Sequence, residues 1–154
     1  MINQDEDRVR YISPDQLLRE IKVLHKGMAV TTGSYEVLTE GEVRDLDWNH
    51  MDQSHRPFVH ETYREALRLC VGQDFALSVT KWGKMPIFVT ITDVRLKPGL
   101  FYQCFCIFSI VYVHSVIQMV AEGPNVRQRI DWYIASHPIF RFLHPFVTPQ
   151  HPCD

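Results

Sequence analysis

Three of the chain's eight histidines, His50, His55 and His60, stand in one polar and aromatic run that ends at Tyr63. Imidazole is the commonest neutral protein ligand for iron, zinc and copper. On an unbroken helix, residues five apart point about 140° away from each other, so His55 and His60 would diverge. Pro57 interrupts such a helix, and a bend there could turn both imidazoles toward one metal ion. The alternative is that these histidines are ordinary surface or hydrogen-bonded residues.

A resemblance to a known family favours the metal site. The run from Asn49 through Asp52 and His55 to His60 has the order and spacing of the iron-binding stretch of Rieske-type non-haem iron oxygenases, which it resembles. The resemblance implies that His55 and His60 bind iron(II), with zinc as the alternative metal. It implies that Asp52 and Asn49 are catalytic residues. In the family this aspartate hydrogen-bonds a ligand histidine and links the iron to the electron donor.

The third metal ligand of the family is a carboxylate, which completes a facial triad and leaves positions open for oxygen. Asp131 is the candidate for this ligand, although it lies in a predicted strand, whereas the family places the carboxylate on a late helix. A water or a further histidine is the alternative. The family's Rieske cluster needs Cys-x-His and Cys-x-x-His pairs, and neither spacing occurs. The chain is therefore predicted to hold no [2Fe-2S] cluster and to receive electrons from a separate ferredoxin or Rieske partner.

Two helices are predicted in the first half of the chain. Ser13 and Pro14 suit the start of the first, which has an apolar stripe up to Leu24. Residues 28–38 are β-prone, with an interruption at Gly33 and Ser34. Residues 57–70 have apolar side chains at helical spacing, which predicts the second helix.

The second half of the chain reads as successive strands joined by short turns. Such a series predicts an antiparallel meander, and a short helix at 137–146 follows it. The predicted strands are 75–82, 86–96, 100–108, 110–121 and 126–135. Helical segments, a sheet and a closing helix predict an α+β fold.

The resemblance implies the START-like (SRPBCC, helix-grip) form of that fold, in which a curved antiparallel sheet wraps on helices around an apolar cavity. Aromatic side chains could line such a cavity or simply pack a core. They are Phe88, Phe101, Tyr102, Phe105, Phe108, Tyr112, Trp132 and Tyr133. His114, between valines, is interpreted as a core or cavity histidine. The predicted layout is a flexible N-terminus (1–12), one START-like catalytic domain (13–148) and a C-terminal tail (149–154).

Composition excludes some functions. The formal net charge of the 154-residue chain is -2, and no long block of one sign occurs, so we expect no nucleic-acid partner. The polar N-terminus has no apolar signal core, and reduced thiols in the cytoplasm are expected. Residues 100–121 carry no formal charge and could span a bilayer, but their β-branched and aromatic content favours two buried strands and no transmembrane span.

Three functions remain open. The leading hypothesis is a mononuclear non-haem iron oxygenase that acts with O2 on an apolar, aromatic or isoprenoid-like substrate. The second is a START-like protein that binds a hydrophobic ligand, or a cyclase-type protein, without redox chemistry. Its histidines would orient a polar group or act as acid and base. The third is a zinc-dependent hydrolase. Family analogy also suggests a homotrimer.

Overall fold

A computed structural model describes residues 13–51, 63–71, 74–82 and 88–149; for residues 48–51, 63–71 and 82 it describes the backbone alone. The described elements, in chain order, are α1 (Pro14–Leu24), β1 (Ala29–Glu40), α2 (Val43–Met51), β2 (Tyr63–Val71), β3 (Phe75–Trp82), β4 (Phe88–Lys97), β5 (Leu100–Ile107), β6 (Val111–Glu122) and β7 (Asn125–Ser136). A 3-10 helix (Pro138–Leu143) and α3 (His144–Val147) follow, and we call these two the C-terminal segment.

The described strands form one antiparallel sheet of seven strands in the order β1-β7-β6-β5-β4-β3-β2. Each strand from β2 to β6 pairs with the next in the chain. The part from β3 to β7 is the predicted meander, which is confirmed. The first strand returns to pair with the last, from Ala29 opposite Ser136 to Glu40 opposite Asn125. The chain is thus α+β, as predicted.

One face of the sheet, which we call the inner face, carries α2 and the C-terminal segment. Val43 and Leu46 of α2 pack on a buried cluster of Phe101, Ile117, Met119, Val126 and Ile130. Leu143 and Val147 of the C-terminal segment pack on a second cluster of Val111, Val113 and Ile134. Because Val111 and Val113 lie at the opposite end of β6 from Ile117 and Met119, the two clusters occupy opposite ends of the inner face.

The other face, which we call the outer face, carries α1. This helix begins where the sequence predicts, with Pro14 in its first turn and the Ser13 hydroxyl accepting a 3.2 Å hydrogen bond from the amide of Gln16. The buried side chain of Ile21 packs on Tyr133 and Ala135. Other α1 side chains extend this contact to a neighbouring cluster of Leu96, Leu100 and Val116. Leu17, Leu18 and Ile21 of the predicted stripe therefore hold the helix, whereas Leu24 at its end is 71% exposed.

Two local predictions are wrong. The helix predicted over 57–70 is contradicted where the structure describes it, because residues 63–71 form β2 and pair with β3. Leu67, Leu69 and Val71 also alternate, so the sequence fits either period, and pairing with β3 decides for the strand. The interruption at Gly33 is absent, since β1 runs unbroken from Ala29 to Glu40.

The uncharged stretch at 100–121 forms β5, β6 and the turn between them, as predicted. Within the described ranges, none of the helices combines the length and the apolar character that a membrane crossing requires.

Candidate ligand-binding site

Two hydroxyl groups on the inner face of β3 are buried without a partner. Ser78 and Thr80 lie opposite Ile91 and Val89 of β4, and each is only 1% exposed. In the part of the chain that the structure describes, neither hydroxyl has a hydrogen-bond partner. A buried polar group left unpaired costs about 1–3 kcal/mol, so native proteins rarely leave one without a reason. These two hydroxyls therefore need a hydrogen-bond partner that the described residues do not supply.

A row of polar residues crosses the inner face beside them. Asp93, Gln103 and Ser115 lie directly opposite one another on β4, β5 and β6. Asp93 is 0% exposed, and its Oδ1 accepts a hydrogen bond of 2.6 Å from Nε2 of Gln103. Asp93 also lies opposite Ala76, two residues before Ser78. The polar side chains of β3 thus continue into this row.

Apolar side chains surround the polar row. Val89 and Ile91 are buried on β4, and Phe105 lies opposite Ile91 on β5. At the far end of the row, the ring of Trp132 lies over Gly33, where a Cβ atom would be 2.2 Å from Trp132 Cζ2. Because Gly33 has no side chain, the indole of Trp132 can lie directly over the backbone of β1. The inner face combines an apolar surface with a few buried polar groups, which is the usual composition of a small-molecule site.

An ion pair fixes α2 at one end of this face. Asp47 pairs with Arg95 of β4, and its second carboxylate oxygen accepts a 2.9 Å hydrogen bond from the amide of Gly99. Arg95 also reaches Asp74 before β3, with 3.4 Å between Nη1 and Oδ1, and its guanidinium lies 5.8 Å from the centre of the Phe101 ring. Asp47 thus connects α2 to the turn between β4 and β5, and Arg95 extends this contact to Asp74 just before β3.

A buried histidine fixes the C-terminal segment at the other end. The two ring nitrogens of His144 each lie 2.7 Å from a hydroxyl, Nδ1 from Thr31 and Nε2 from Ser136. Because Ser136 donates to the carbonyl of His137 at 3.0 Å, it accepts from Nε2–H of His144, and Nδ1 accepts from Thr31. Burial, and then the charge of Arg141, lower the pKa of His144. The network therefore favours a neutral imidazole.

A second buried histidine lies on the outer face, beneath α1. Nε2 of His114 is 2.8 Å from Nε2 of His25, and Nδ1 of His114 is 2.6 Å from the hydroxyl of Tyr102. Nδ1 of His25 is 3.0 Å from the sulfur of Met28. Burial and the neighbouring His25 lower the pKa of His114 to about 4. His114 is thus the core histidine that the sequence predicts, away from the inner face.

The residues of the predicted iron site fall mostly outside the described part of the chain. His55, His60 and Asp52 lie in the gap between α2 and β2, and Asn49 lies in α2, where the backbone alone is described. Among the described residues, no group of three or more His, Cys, Asp or Glu side chains could hold a metal ion. The roles of these four residues stay predictions.

The candidate third ligand is described. Asp131 lies on β7 opposite Val116, which places it on the outer face. Its carboxylate pairs with the guanidinium of Arg129, with 3.2 Å between Nε and Oδ2. The helix that leads toward His55 packs on the inner face instead. The structure therefore does not bring Asp131 beside α2.

Sequence reasoning missed the polar groups of the inner face. Ser78 and Thr80 alternate with Leu77 and Val79, so hydrophobicity alone would turn the leucine and valine inward. The available signal was Asp93, a charged residue in phase with Val89 and Ile91 of the same strand. A charge in register with a core face indicates a functional position.

Comparisons with known proteins give a fold. No family model matches the chain, and no curated protein matches it. Among solved structures, norcoclaurine synthase from Thalictrum flavum in complex with dopamine and hydroxybenzaldehyde gives a TM-score of 0.64 at 11% identity, covering 82% of each chain. Zhui aromatase/cyclase from Streptomyces sp. R1128 gives 0.56 at 11%, covering 71% of this chain and 70% of that one. Ara h 8.0201 gives 0.61 at 9%, covering 77% and 88%.

These likenesses define the class of structure. The chain has the α+β, Bet v 1-like helix-grip fold that SRPBCC proteins share, which confirms the predicted fold. Structures of this fold include enzymes, among them a synthase and an aromatase/cyclase. At such low sequence identity the likeness shows the fold alone, and a Rieske oxygenase identity does not follow from it.

Proposed function

We propose that the chain binds a small, largely apolar organic molecule on the inner face of its sheet, and that Ser78 and Thr80 hydrogen-bond a polar group of that molecule. The observation that carries the proposal is that both hydroxyls are buried and have no hydrogen-bond partner among the residues that the structure describes. A ligand hydroxyl or carbonyl would satisfy both and remove the cost of leaving them unpaired.

The position of the polar row supports this location. Along β6, Ser115 lies between the residues that the C-terminal segment covers, Val111 and Val113, and those near α2, Ile117 and Met119. The row therefore crosses the sheet between two apolar clusters, each held by its own packing. A ligand at this level would contact apolar side chains on both sides and polar groups beneath it.

The fold supports the chemical class. A structure of the same fold, norcoclaurine synthase, holds dopamine and hydroxybenzaldehyde, which are small aromatic molecules with hydroxyl groups. On this chain, Phe105 and Trp132 add aromatic side chains near the polar row, and Gln103 adds an amide group within it. We therefore expect a ligand with an aromatic or alicyclic body and at least one hydroxyl or carbonyl group.

Two probes that differ by one hydroxyl group test the proposal. 2-Naphthol and naphthalene would be titrated into the protein, with binding followed by probe fluorescence and by amide chemical shifts in β3–β5. The S78A/T80V variant should bind 2-naphthol about fivefold more weakly, because a hydrogen bond contributes about 1 kcal/mol, and should bind naphthalene as before. The matched control is T92V, a half-buried threonine on the outer face of β4, which should change neither affinity.

Two results would overturn the proposal. One is that neither probe binds saturably or shifts amides on β3–β5. The other is that the preference for 2-naphthol over naphthalene survives unchanged in S78A/T80V. Circular dichroism of each variant separates a loss of binding from a loss of fold.

The iron oxygenase remains a separate proposal that rests on the motif from Asn49 to His60. Iron held by His55 and His60 would supply oxygen activation. The chain's own part would be to hold an apolar substrate against the inner face and exclude water from it. Ligand binding on that face does not depend on this metal, so the two proposals can fail independently.

A further inference from the structure

A chain of hydrogen bonds crosses the boundary between α1 and the sheet. His25 is the C-cap residue that directly follows α1, and its Nε2 atom lies 2.8 Å from Nε2 of His114 on β6. Tyr102 of β5 lies at the far nitrogen of His114, 2.6 Å away. Both histidines are buried, at 5% and 4% exposure. These bonds form a buried polar link between α1 and a surface that the helix also contacts through apolar side chains.

The link has one consistent proton arrangement when both imidazoles are neutral. The hydroxyl of Tyr102 donates to Nδ1 of His114, Nε2–H of His114 donates to Nε2 of His25, and Nδ1–H of His25 faces the sulfur of Met28. Only one proton fits between two nitrogens at hydrogen-bond distance. If both imidazoles are charged, both Nε2 atoms carry a hydrogen, the bond is lost and two positive charges meet in a buried place.

Within the described ranges, the side chains that contact the two imidazoles from the neighbouring elements carry no carboxylate that would neutralise those charges. The strands present Tyr102 and Cys104 from β5, Tyr112 from β6 and Tyr133 from β7. Burial raises the pKa of Tyr102, Cys104 and Tyr133. β1 presents Val30 and Thr32, and β4 presents Thr92 and Val94. On the helix side, Lys22 and Lys26 are exposed and positive. The charged groups farther along the outer face of β7, Arg129 and Asp131, pair with each other.

We propose that His25 and His114 form a proton-sensitive latch, which holds α1 on the outer face while a single proton lies between the two imidazoles and releases the helix when both are protonated. Release would uncover apolar side chains of the outer face, among them Leu96, Leu100 and Val116. The inner face and its ligand site keep their own contacts, because α2 and the C-terminal segment pack on the opposite side of the sheet.

The direction of the pH effect follows because the docked state of α1 favours neutral imidazoles at His25 and His114. Burial lowers the pKa of both histidines in the docked state, that of His114 to about 4 from its usual 6.5. The latch is therefore intact above pH 6.5 and weakens as the pH falls below it, since the released state then binds more protons than the docked state. For His114 alone, this difference amounts to roughly a 70-fold change in the docking equilibrium between pH 7.5 and 4.5.

Hydrogen–deuterium exchange of the full chain tests the latch. Amide protection factors, corrected for intrinsic rates, would be measured at pH 7.5 and 4.5. The amides from Leu17 to His25, in α1 and at its C-cap, should lose protection on the order of 70-fold in acid. Those of Val126–Ile130, on the strand beneath the cluster that α2 covers, should keep theirs. Unchanged protection of α1, or an equal loss in both regions, would overturn the proposal.

Two variants separate the latch from other titrating groups. In H25Q, the amide oxygen can accept from Nε2–H of a protonated His114, so α1 should stay protected at pH 4.5. H144Q removes the buried histidine of the inner face and should leave the acid release of α1 as in the unmodified chain. If H25Q releases α1 with the same midpoint as the unmodified chain, the acidic residues of the helix are responsible and the latch is wrong.

Discussion

Asp47 and Arg95 form an ion pair that is largely withdrawn from water, with 11% and 19% of their side chains exposed. The pair joins α2 to the fourth strand of the sheet. The same carboxylate accepts from the amide of Gly99, so one side chain of α2 holds both a strand and the turn that follows it. α2 is the last element that the structure describes before the run with His55 and His60, and this pair fixes the helix on the sheet.

Removing the carboxylate should destabilise the fold. D47A would leave the guanidinium of Arg95 without its closest acidic partner, and the free energy of unfolding in urea should fall by about 3 kcal/mol. D45A in the same helix is the control, because Asp45 is 63% exposed in its side chain, and it should change stability by less than about 0.5 kcal/mol. Equal effects of the two substitutions would show that the pair does not anchor α2.

Much of the fold could be predicted because local signals agreed with it. The strand at 75–82 and the cap at Ser13 are observed as predicted, and the turn signals at Pro98 and Gly123 separate the correct strands. Both turn glycines, Gly99 and Gly123, have positive φ angles of 76° and 60°, which L-residues with side chains rarely adopt. Short connections then leave an antiparallel meander as the simplest topology.

The polar groups on the two faces of the sheet could not be predicted in the same way, because their surroundings come from residues far apart in the sequence. His25 and His114 are 89 residues apart, and nothing in the local pattern of either places them together. The face of β3 is inverted relative to its hydrophobicity, with Ser78 and Thr80 more buried than Leu77 and Val79. Periodicity predicts which residues of a strand share a face, but which of the two faces is buried depends on how the whole sheet packs.

The close approach of Trp132 to β1 can be tested at Gly33. G33A would place a methyl group 2.2 Å from Trp132 Cζ2, so the indole must move, and we expect a loss of about 1–3 kcal/mol in unfolding free energy. The near-ultraviolet circular dichroism of the tryptophans should change as well. S34A, at an exposed neighbouring position, should change neither quantity. In a W132L background the cost of G33A should largely disappear, and a cost that persists would assign it to the backbone instead.

The buried hydroxyl of Thr80 should cost stability when no ligand is present. T80V keeps the shape of the side chain and removes an unpaired polar group, so the ligand-free protein should gain up to about 1 kcal/mol in unfolding free energy. T92V on the outer face gives the comparison for the same change of atoms. A loss of stability in T80V would mean that its hydroxyl already contributes a hydrogen bond, which would weaken the case for a ligand there.

The anchor at His144 should make the C-terminal segment sensitive to acid. Burial lowers the pKa of this histidine, so the neutral form is the folded form, and its contribution is complete above pH 6.5 and declines as the pH falls further. H144A should lower stability at pH 7.5 by about 2 kcal/mol, because it removes two hydrogen bonds at buried positions. It should also reduce the slope of stability against pH between 6.5 and 5. F142A, at a side chain that is 65% exposed, should leave that slope unchanged.

The predicted iron site is tested by metal analysis of protein purified without added metal. Iron near one equivalent supports the oxygenase, zinc supports the hydrolase, and the absence of both supports a binding or cyclase-type protein.

H55A and H60A should each abolish uptake of the metal while the circular dichroism spectrum is retained, because two imidazoles are the core of the predicted ligand set. H50A is the matched control within the same run and should retain the metal. D131N tests whether Asp131 is the third ligand. The Asp131 carboxylate pairs with Arg129 on the outer face, and we expect D131N to retain the metal. Full retention would mean that water or another side chain occupies the third position. If H55A and H60A both bind as much metal as the unmodified chain, the two histidines do not share an ion, and the resemblance to the oxygenase motif carries no chemistry.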